Sequence, residues 1–234
     1  MHIYPSKGQA RDVAKDIIDM LFPNEDSYKF PIVSVTGTNG KTTTVRLISH
    51  ILALSGKTVG MTSTCGTYIG EKCICKGDNS GPRSAKSLLS KKTIDAAVLE
   101  TARGGIVRGG LGYNLADVGI ITNVTEDHLG LDDIETIEDL AYAKALVVEA
   151  VKKDGAAVLN AEDKMTPFIL KRVKVRTILF SKNPNLNPQF ESLNCIHVYT
   201  EDGWIKIRDN NQLIEIIQIA DIPITCNGLI ECNI

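Results

Sequence analysis

The stretch Pro31–Leu52, PIVSVTGTNGKTTTVRLISHIL, runs from a β-branched apolar segment through a turn bracketed by Gly37 and Gly40 into a helical pattern. Its first half predicts a buried strand, and its second half a helix from about Lys41 to Leu54. At such a joint, backbone N–H groups and the positive helix N-terminus converge on an anion. Gly37, Thr38, Asn39, Gly40, Lys41 and Thr42 therefore read as a phosphate loop. Lys41 would reach the terminal phosphates of ATP, Thr42 would hold Mg2+, and Thr43 would add a hydroxyl near the same anion. The common form of this loop carries a glycine five positions before the second one, where this chain has Val35. The plain alternative is a glycine turn that caps a helix.

Outward from this joint, short apolar runs alternate with helical segments: TVGMTS, DAAVLET, DVGIITN, a helix from about Ile137 to Val151, then AAVLN. That order predicts an α/β fold, a mostly parallel sheet covered by helices on both faces. A helical lead-in is expected over residues 1–29, where Ala10, Val13, Ala14, Ile17 and Leu21 share one face. From about Val175 the texture changes to VRTILFS, CIHVYTE, GWIKIRD and QLIEIIQI, with turn signals at Asp202-Gly203 and Asp209-Asn210. These segments predict an antiparallel extension over 175–234, and SKNPNLNPQFES an exposed loop.

The chain has 234 residues, 43% of them hydrophobic, enough for the core of one domain. A net charge of −2 argues against binding duplex nucleic acid or an anionic membrane. Charges stand where a signal peptide needs an apolar stretch, and no apolar run is long enough to span a bilayer, so a cytoplasmic protein is expected. Six cysteines without paired CxxC spacing read as reduced thiols. A homo-oligomer stays open.

The chemistry concentrates at predicted strand ends, where ligands bind in open α/β sheets. Glu100 is the first charged group after Val98 and Leu99, placed to ligate the Mg2+ held by Thr42; the alternative is a solvated strand end. Arg103 and Arg108 flank Gly104-Gly105, read as a flexible corner that would carry a guanidinium to an anion; the alternative is a pair of ordinary surface arginines. The next strand delivers VTEDHLG, in which His128 would be a second metal ligand, with Asp127 beside it to orient the ring or bind the metal through water; the alternative is a histidine that caps the helix or packs. Lys144 falls on the apolar face of its helix, a costly place for a charge.

VTGTNGKTTT, the strand-end Glu100, TNVTEDHLG and AYAKALVV, in this order, resemble the central ATPase domain of the Mur ligase family. The resemblance covers nearly the whole chain to about Asp163. A narrower likeness, carried by YPSKGQARDVAKDIIDMLFP, GDNSGPRSA and ETARGGIVRGGLG, is to the branch that joins arginine to the side chains of poly-aspartate. The family implies an ATP- and Mg2+-dependent carboxylate–amine ligase acting through an acyl phosphate. It maps the phosphate loop to Gly37 through Thr43, the magnesium glutamate to Glu100 and the second metal ligand to His128. It also implies a carbamylated lysine as metal ligand at Lys144. Only neutral lysine takes up carbon dioxide, and lowering its pKa from about 10.4 to near 8 costs about 3 kcal/mol.

The branch carries an ATP-grasp domain before this segment, and the family a C-terminal domain after it. The chain stops where an adenine-contacting asparagine motif would begin, at Asn233, so a fragment that needs those domains as partners is expected. Two other readings remain: a muramyl-peptide or folylpolyglutamate ligase domain, and an ATP-binding module without ligase activity.

Overall fold

The computed structural model of the chain describes residues 30–126, 129–191, 193–210 and 212–226. The predicted lead-in helix over 1–29 lies outside them, as do His128 and Asn233. The apolar run of the opening stretch forms β1 (Ile32–Thr36), and the helix α1 spans Lys41–Leu54. A hairpin-rich segment follows, with β2 (Val59–Ser63), β3 (Gly66–Ile69) and β4 (Lys72–Lys76), then α2 (Pro82–Leu89) and β5 (Ala96–Glu100). Next come α3 (Arg103–Gly109), β6 (Ala116–Ile121), α4 (Ile137–Glu149) and β7 (Val151–Asn160). The remainder comprises α5 (Thr166–Leu170), β8 (Arg176–Ser181), α6 (Pro188–Glu191), β9 (Cys195–Glu201), β10 (Trp204–Asp209) and β11 (Gln212–Gln218).

All eleven described strands join one sheet in the order β11-β10-β9-β8-β7-β6-β1-β5-β2-β3-β4. The seven strands from β9 to β2 run parallel. Antiparallel ribbons flank them, β2-β3-β4 at one edge and β9-β10-β11 at the other. The extension predicted from Val175 is therefore narrower than its texture suggests. β8 and β9 pair parallel with their neighbours, and antiparallel pairing starts only between β9 and β10. The link from β8 to β9, through α6, is long enough for a crossover, whereas two-residue turns at Asp202-Gly203 and at Asn210 force reversal.

Alternation along the central strands divides the core. Val35, Val98, Met61 and Ile120 pack with Val45 of α1 on one face. Ile121, Leu159 and Leu179 pack with Leu140, Ala141 and Val148 of α4 on the other, while Ala97 and Leu99 meet Ala85 and Leu88 of α2. α4 starts where Thr136 and Asp139 cap each other, hydroxyl to backbone N–H (3.1 Å) and carboxylate to backbone N–H (3.0 Å). Two loops expected from sequence are helical. Gly104-Gly105 lies inside α3, and SKNPNLNPQFES contains α6, whose Phe190 is buried beneath α4 with Leu186 packed against the same cluster.

β1 and β6 are neighbours whose following connections leave in opposite directions, to β2 on one side and to β7 on the other. The turn after β1 therefore sits at the switch point of the sheet.

One buried group sets an acid limit on the fold. His197 on β9 is 2% exposed and stacks on Tyr199. The Ser181 hydroxyl donates to the Asn183 carbonyl (2.6 Å), so His197 Nε2–H donates to Ser181 Oγ (2.8 Å), which leaves Nδ1 bare. Burial, with the Arg208 guanidinium adding to it, pushes the imidazole down to about 4. The folded state thus resists protonation that the unfolded chain accepts near pH 6.5. Its stabilising contribution is whole above pH 6.5 and lost as pH falls toward 4, up to about 3 kcal/mol. We expect urea midpoints to drop between pH 6.5 and 4.5, and His197→Gln to flatten that slope; equal slopes for both proteins would refute it.

Candidate functional site

The segment Thr36–Thr42 is shaped by one close approach. A Cβ on Gly37 would lie 1.9 Å from Thr122 Oγ1, and its φ of 150° disfavours any side chain. Thr122 follows β6 directly and its hydroxyl bonds the Asn39 carbonyl (2.6 Å). Asn123 completes the junction: its carbonyl accepts from Thr38 N–H (2.9 Å), and its side-chain oxygen from Asn39 N–H (2.9 Å). Further along, Thr125 N–H donates to Thr38 Oγ1 (3.1 Å), and Asp163 accepts from Val124 N–H. Asn160, the last residue of β7, donates to the Thr122 carbonyl (3.2 Å). The loop is therefore held open by the neighbouring strand ends rather than by its own residues.

Gly40, at φ 81°, turns the chain into α1. The first intrahelical bond runs from Thr44 N–H to the Gly40 carbonyl (2.9 Å). The N–H groups of Lys41, Thr42 and Thr43 precede it and point out of the helix end, with the positive end of the dipole behind them. Lys41 Nζ donates to the Thr38 carbonyl (2.9 Å), across the mouth of the same loop.

Glu100 closes the site from β5, whose register pairs it with Val35 on the α1 face. It is 2% exposed. Its Oε2 accepts from Thr42 Oγ1 (2.8 Å) and from Thr64 N–H (3.2 Å), while Oε1 is buried without a described hydrogen-bond partner. A buried carboxylate with one oxygen bare is a favourable place for a cation. Thr42 and Glu100 match Mg2+, which takes one or two protein oxygens and leaves its other positions to phosphates and water. Among the described residues no three His, Cys, Asp or Glu gather into a site for a more demanding metal.

Lys144 is 3% exposed on the inner face of α4, as its helical position predicts. Arg103 and Arg108 do not swing on a corner. Both come off α3 onto Asp132, Arg108 through Nε and Nη2 (3.0 Å each) and Arg103 at 3.4 Å, with Arg103 also donating to the Leu131 carbonyl (2.8 Å). Asp132 and Asp133 both take positive φ. The guanidinium beside Asp132 holds its carboxyl below the usual range.

Beyond the loop, a cleft of about 420 Å³ runs from Asn39, Gly40 and Thr43 over the ends of β7, β8 and β9, to Asn160, Ser181 and Tyr199. Thr64, Thr122, Asn123, Asn160 and Asp163 are the site residues that sequence reading did not assign. Thr122 and Asn123 stand in the quoted TNVT at a strand end, which was the available signal.

The family model of the Mur ligase middle domain matches residues 35–219. The chain belongs to that family. It is 46% identical over 232 residues to the cyanophycin synthetase of Synechocystis sp., an alignment that covers 98% of this chain and 26% of that protein. The chain thus spans about a quarter of the length of the curated relatives it matches first. Among solved structures, a UDP-N-acetylmuramoyl-L-alanyl-D-glutamate–2,6-diaminopimelate ligase superposes with a TM-score of 0.65 at 20% identity, covering 89% of this chain and 42% of that one. A bifunctional folylpolyglutamate synthase/dihydrofolate synthase superposes with 0.54 at 16% identity, over 99% and 58%. These likenesses show the fold: the parallel sheet, its helices and the antiparallel C-terminal strands.

Glu100→Gln removes the buried charge and keeps the shape. In metal-free buffer the variant should melt no lower than the parent, and Mg2+ with a nucleotide should raise the melting temperature of the parent alone. An equal Mg2+ response in both would remove Glu100 from the metal site. Gly37→Ala should displace Thr122 and cost about 2 kcal/mol or more, read from urea unfolding.

Proposed function

We propose that this Mur ligase middle domain binds ATP and Mg2+ and serves an ATP-dependent carboxylate–amine ligase that joins arginine to the aspartate side chains of a poly-aspartate chain. The observation that carries the ligase chemistry is the bare Glu100 oxygen beside Thr42, at the mouth of a loop whose N–H groups await an anion. The similarity to a cyanophycin synthetase along 98% of the chain supports the choice of acceptor and amine. The folylpolyglutamate synthase neighbour was solved with Mn, AMPPNP and L-glutamate, which fits a nucleotide and a divalent cation in this fold.

In the proposed reaction an acceptor carboxylate attacks the γ-phosphorus, the bond to the β,γ-bridging oxygen breaks, and ADP leaves. The amine then attacks the acyl phosphate carbon, phosphate leaves, and the amine's proton is lost as the amide forms. Both partners of the first step are anions, so charge must be neutralised between them. Bound Mg2+ would supply part of that neutralisation as a Lewis acid. Thr42 and Glu100 would hold it, and Lys41 would leave the Thr38 carbonyl for the terminal phosphates. The N–H groups of Lys41, Thr42 and Thr43 would clasp phosphate oxygens. The cleft beyond Thr43 would receive the nucleoside.

His128 as second metal ligand, Lys144 as its carbamylated partner, and Asn233 at the adenine belong to the same proposal. Its partners are arginine, the poly-aspartate primer and the other parts of a longer enzyme. No described helix is long and apolar enough to cross a membrane.

Lys41→Ala should abolish ATP binding in calorimetry while circular dichroism stays unchanged; undiminished affinity would refute the phosphate-loop reading. For the reaction, Mg-ATP, labelled arginine and a poly-aspartate primer would be supplied to the chain and to a longer enzyme containing it. Primer-dependent arginine incorporation by the longer enzyme, lost with Lys41→Ala, supports the proposal. Incorporation that survives this substitution refutes it.

A further inference from the structure

At the opposite end of the parallel strands, a groove of about 630 Å³ lies between the C-terminus of α4, the start of β7 and the link from α5 into β8. Its floor is apolar, with Val148, Val151 and Val175. Its rim is cationic: Lys153, Lys171, Arg172 and Lys174. The single acid among the described lining residues, Glu149, is taken by Arg172, which also donates to the Tyr142 carbonyl and lies over the Tyr142 ring. Two further cations nearby are neutralised, Lys152 by Asp117 (2.8 Å) and Arg176 by Asp209 (2.9 Å). Lys153, Lys171 and Lys174 are exposed, and no described carboxylate lies within ion-pair distance of them. In a chain whose net charge is −2, three uncompensated lysines around one groove form a local excess of positive charge.

We propose that this groove docks an acidic polypeptide, the poly-aspartate acceptor, at a site separate from the phosphate loop. The identity of the polyanion rests on the function proposed above; the charge and shape of the groove do not. Valine methyls and lysine stems offer an apolar bed for an extended backbone and its β-methylenes, while the ammonium groups meet the carboxylates. The eight residues from Lys153 to Asn160 on β7 separate the groove from the nucleotide cleft by about 20 Å or more. A chain anchored there and running to the loop needs at least roughly six extended residues between the two contacts. Anchoring raises the effective concentration of the chain end near the phosphates. Arginine-bearing stretches, whose guanidinium groups offset the carboxylates, would be held less tightly than bare poly-aspartate.

The test is fluorescence anisotropy of a labelled 20-residue poly-L-aspartate titrated with the full chain at low salt. Lys153→Glu, Lys171→Glu and Lys174→Glu combined should weaken binding at least about tenfold, and the three Gln substitutions by a smaller factor. Circular dichroism reports whether each variant folds, and the Gln form serves if the Glu form does not. Lys41→Ala should leave poly-aspartate affinity unchanged. Binding unaffected by the lysine substitutions, or lost with Lys41→Ala instead, overturns the groove. So does equal affinity for a DNA duplex of matched charge. If the parent chain binds no ATP yet holds poly-aspartate through the three lysines, the function proposed above fails and the groove stands.

Discussion

A carboxylate at the end of β5, buried and half satisfied, is the constraint around which the rest of this domain is arranged. Glu100 sits on the α1 face of the sheet, so its charge cannot be spread into solvent. Thr42 and Thr64 satisfy one oxygen, and the other is buried without a described hydrogen-bond partner. For Thr42 to reach it, α1 must begin directly over the ends of β1 and β5. That placement requires the turn after β1 to pass within contact of Thr122, which only glycine at position 37 allows. Thr42 at the start of α1 and Glu100 at the end of a neighbouring strand are thus parts of one hydrogen-bonded arrangement.

Support for this arrangement comes from strands that carry none of its chemistry. Asn123, Asn160 and Asp163 tie the loop to the ends of β6 and β7, so binding energy need not be used to order it. The same economy holds on the far side of α3, where Asp132 gathers Arg103 and Arg108. Two adjacent residues with positive φ are kept in place there by ion pairs that reach across from another element. Charge is therefore organised at the carboxyl ends of the strands, while the opposite end keeps three lysines unmatched.

Much of this was legible in the chain. Alternating apolar runs and helical segments specified a parallel sheet because a strand buried on both faces has no polar positions to spare. The glycine-bracketed GTNGKTTT was readable as a tight turn leading straight into a helix start, because both signals lie within a few residues of each other. Glu100 was readable as the first charge after an apolar run, and Lys144 as a cation on an apolar helix face, because each is an exception to a local pattern. Less legible were segments in which the pattern is short. Gly104-Gly105 suggested a corner, yet both lie inside α3, where the bare Gly105 lets the helix approach Gly81 and Pro82. The strands after Val175 suggested antiparallel pairing, but β8 and β9 look the same as β10 and β11 in their local alternation.

What the sequence by itself determined is the alternation of the central strands with α1 and α4, the glycine turn between β1 and α1 and the strand-end acid, all of which depend on residues close together in the chain or on single departures from a period. What only the tertiary structure decided is which strand ends meet. The neighbours of β1 are β5 and β6, separated from it by more than fifty residues, and their adjacency rests on how side chains of α1 and α4 fill the two faces of the sheet. That packing brings Thr42 to Glu100 and Gly37 to Thr122, and it gathers three lysines from two segments around one groove. Contacts of this kind are set by volume and by burial in three dimensions, which no periodicity along the chain records.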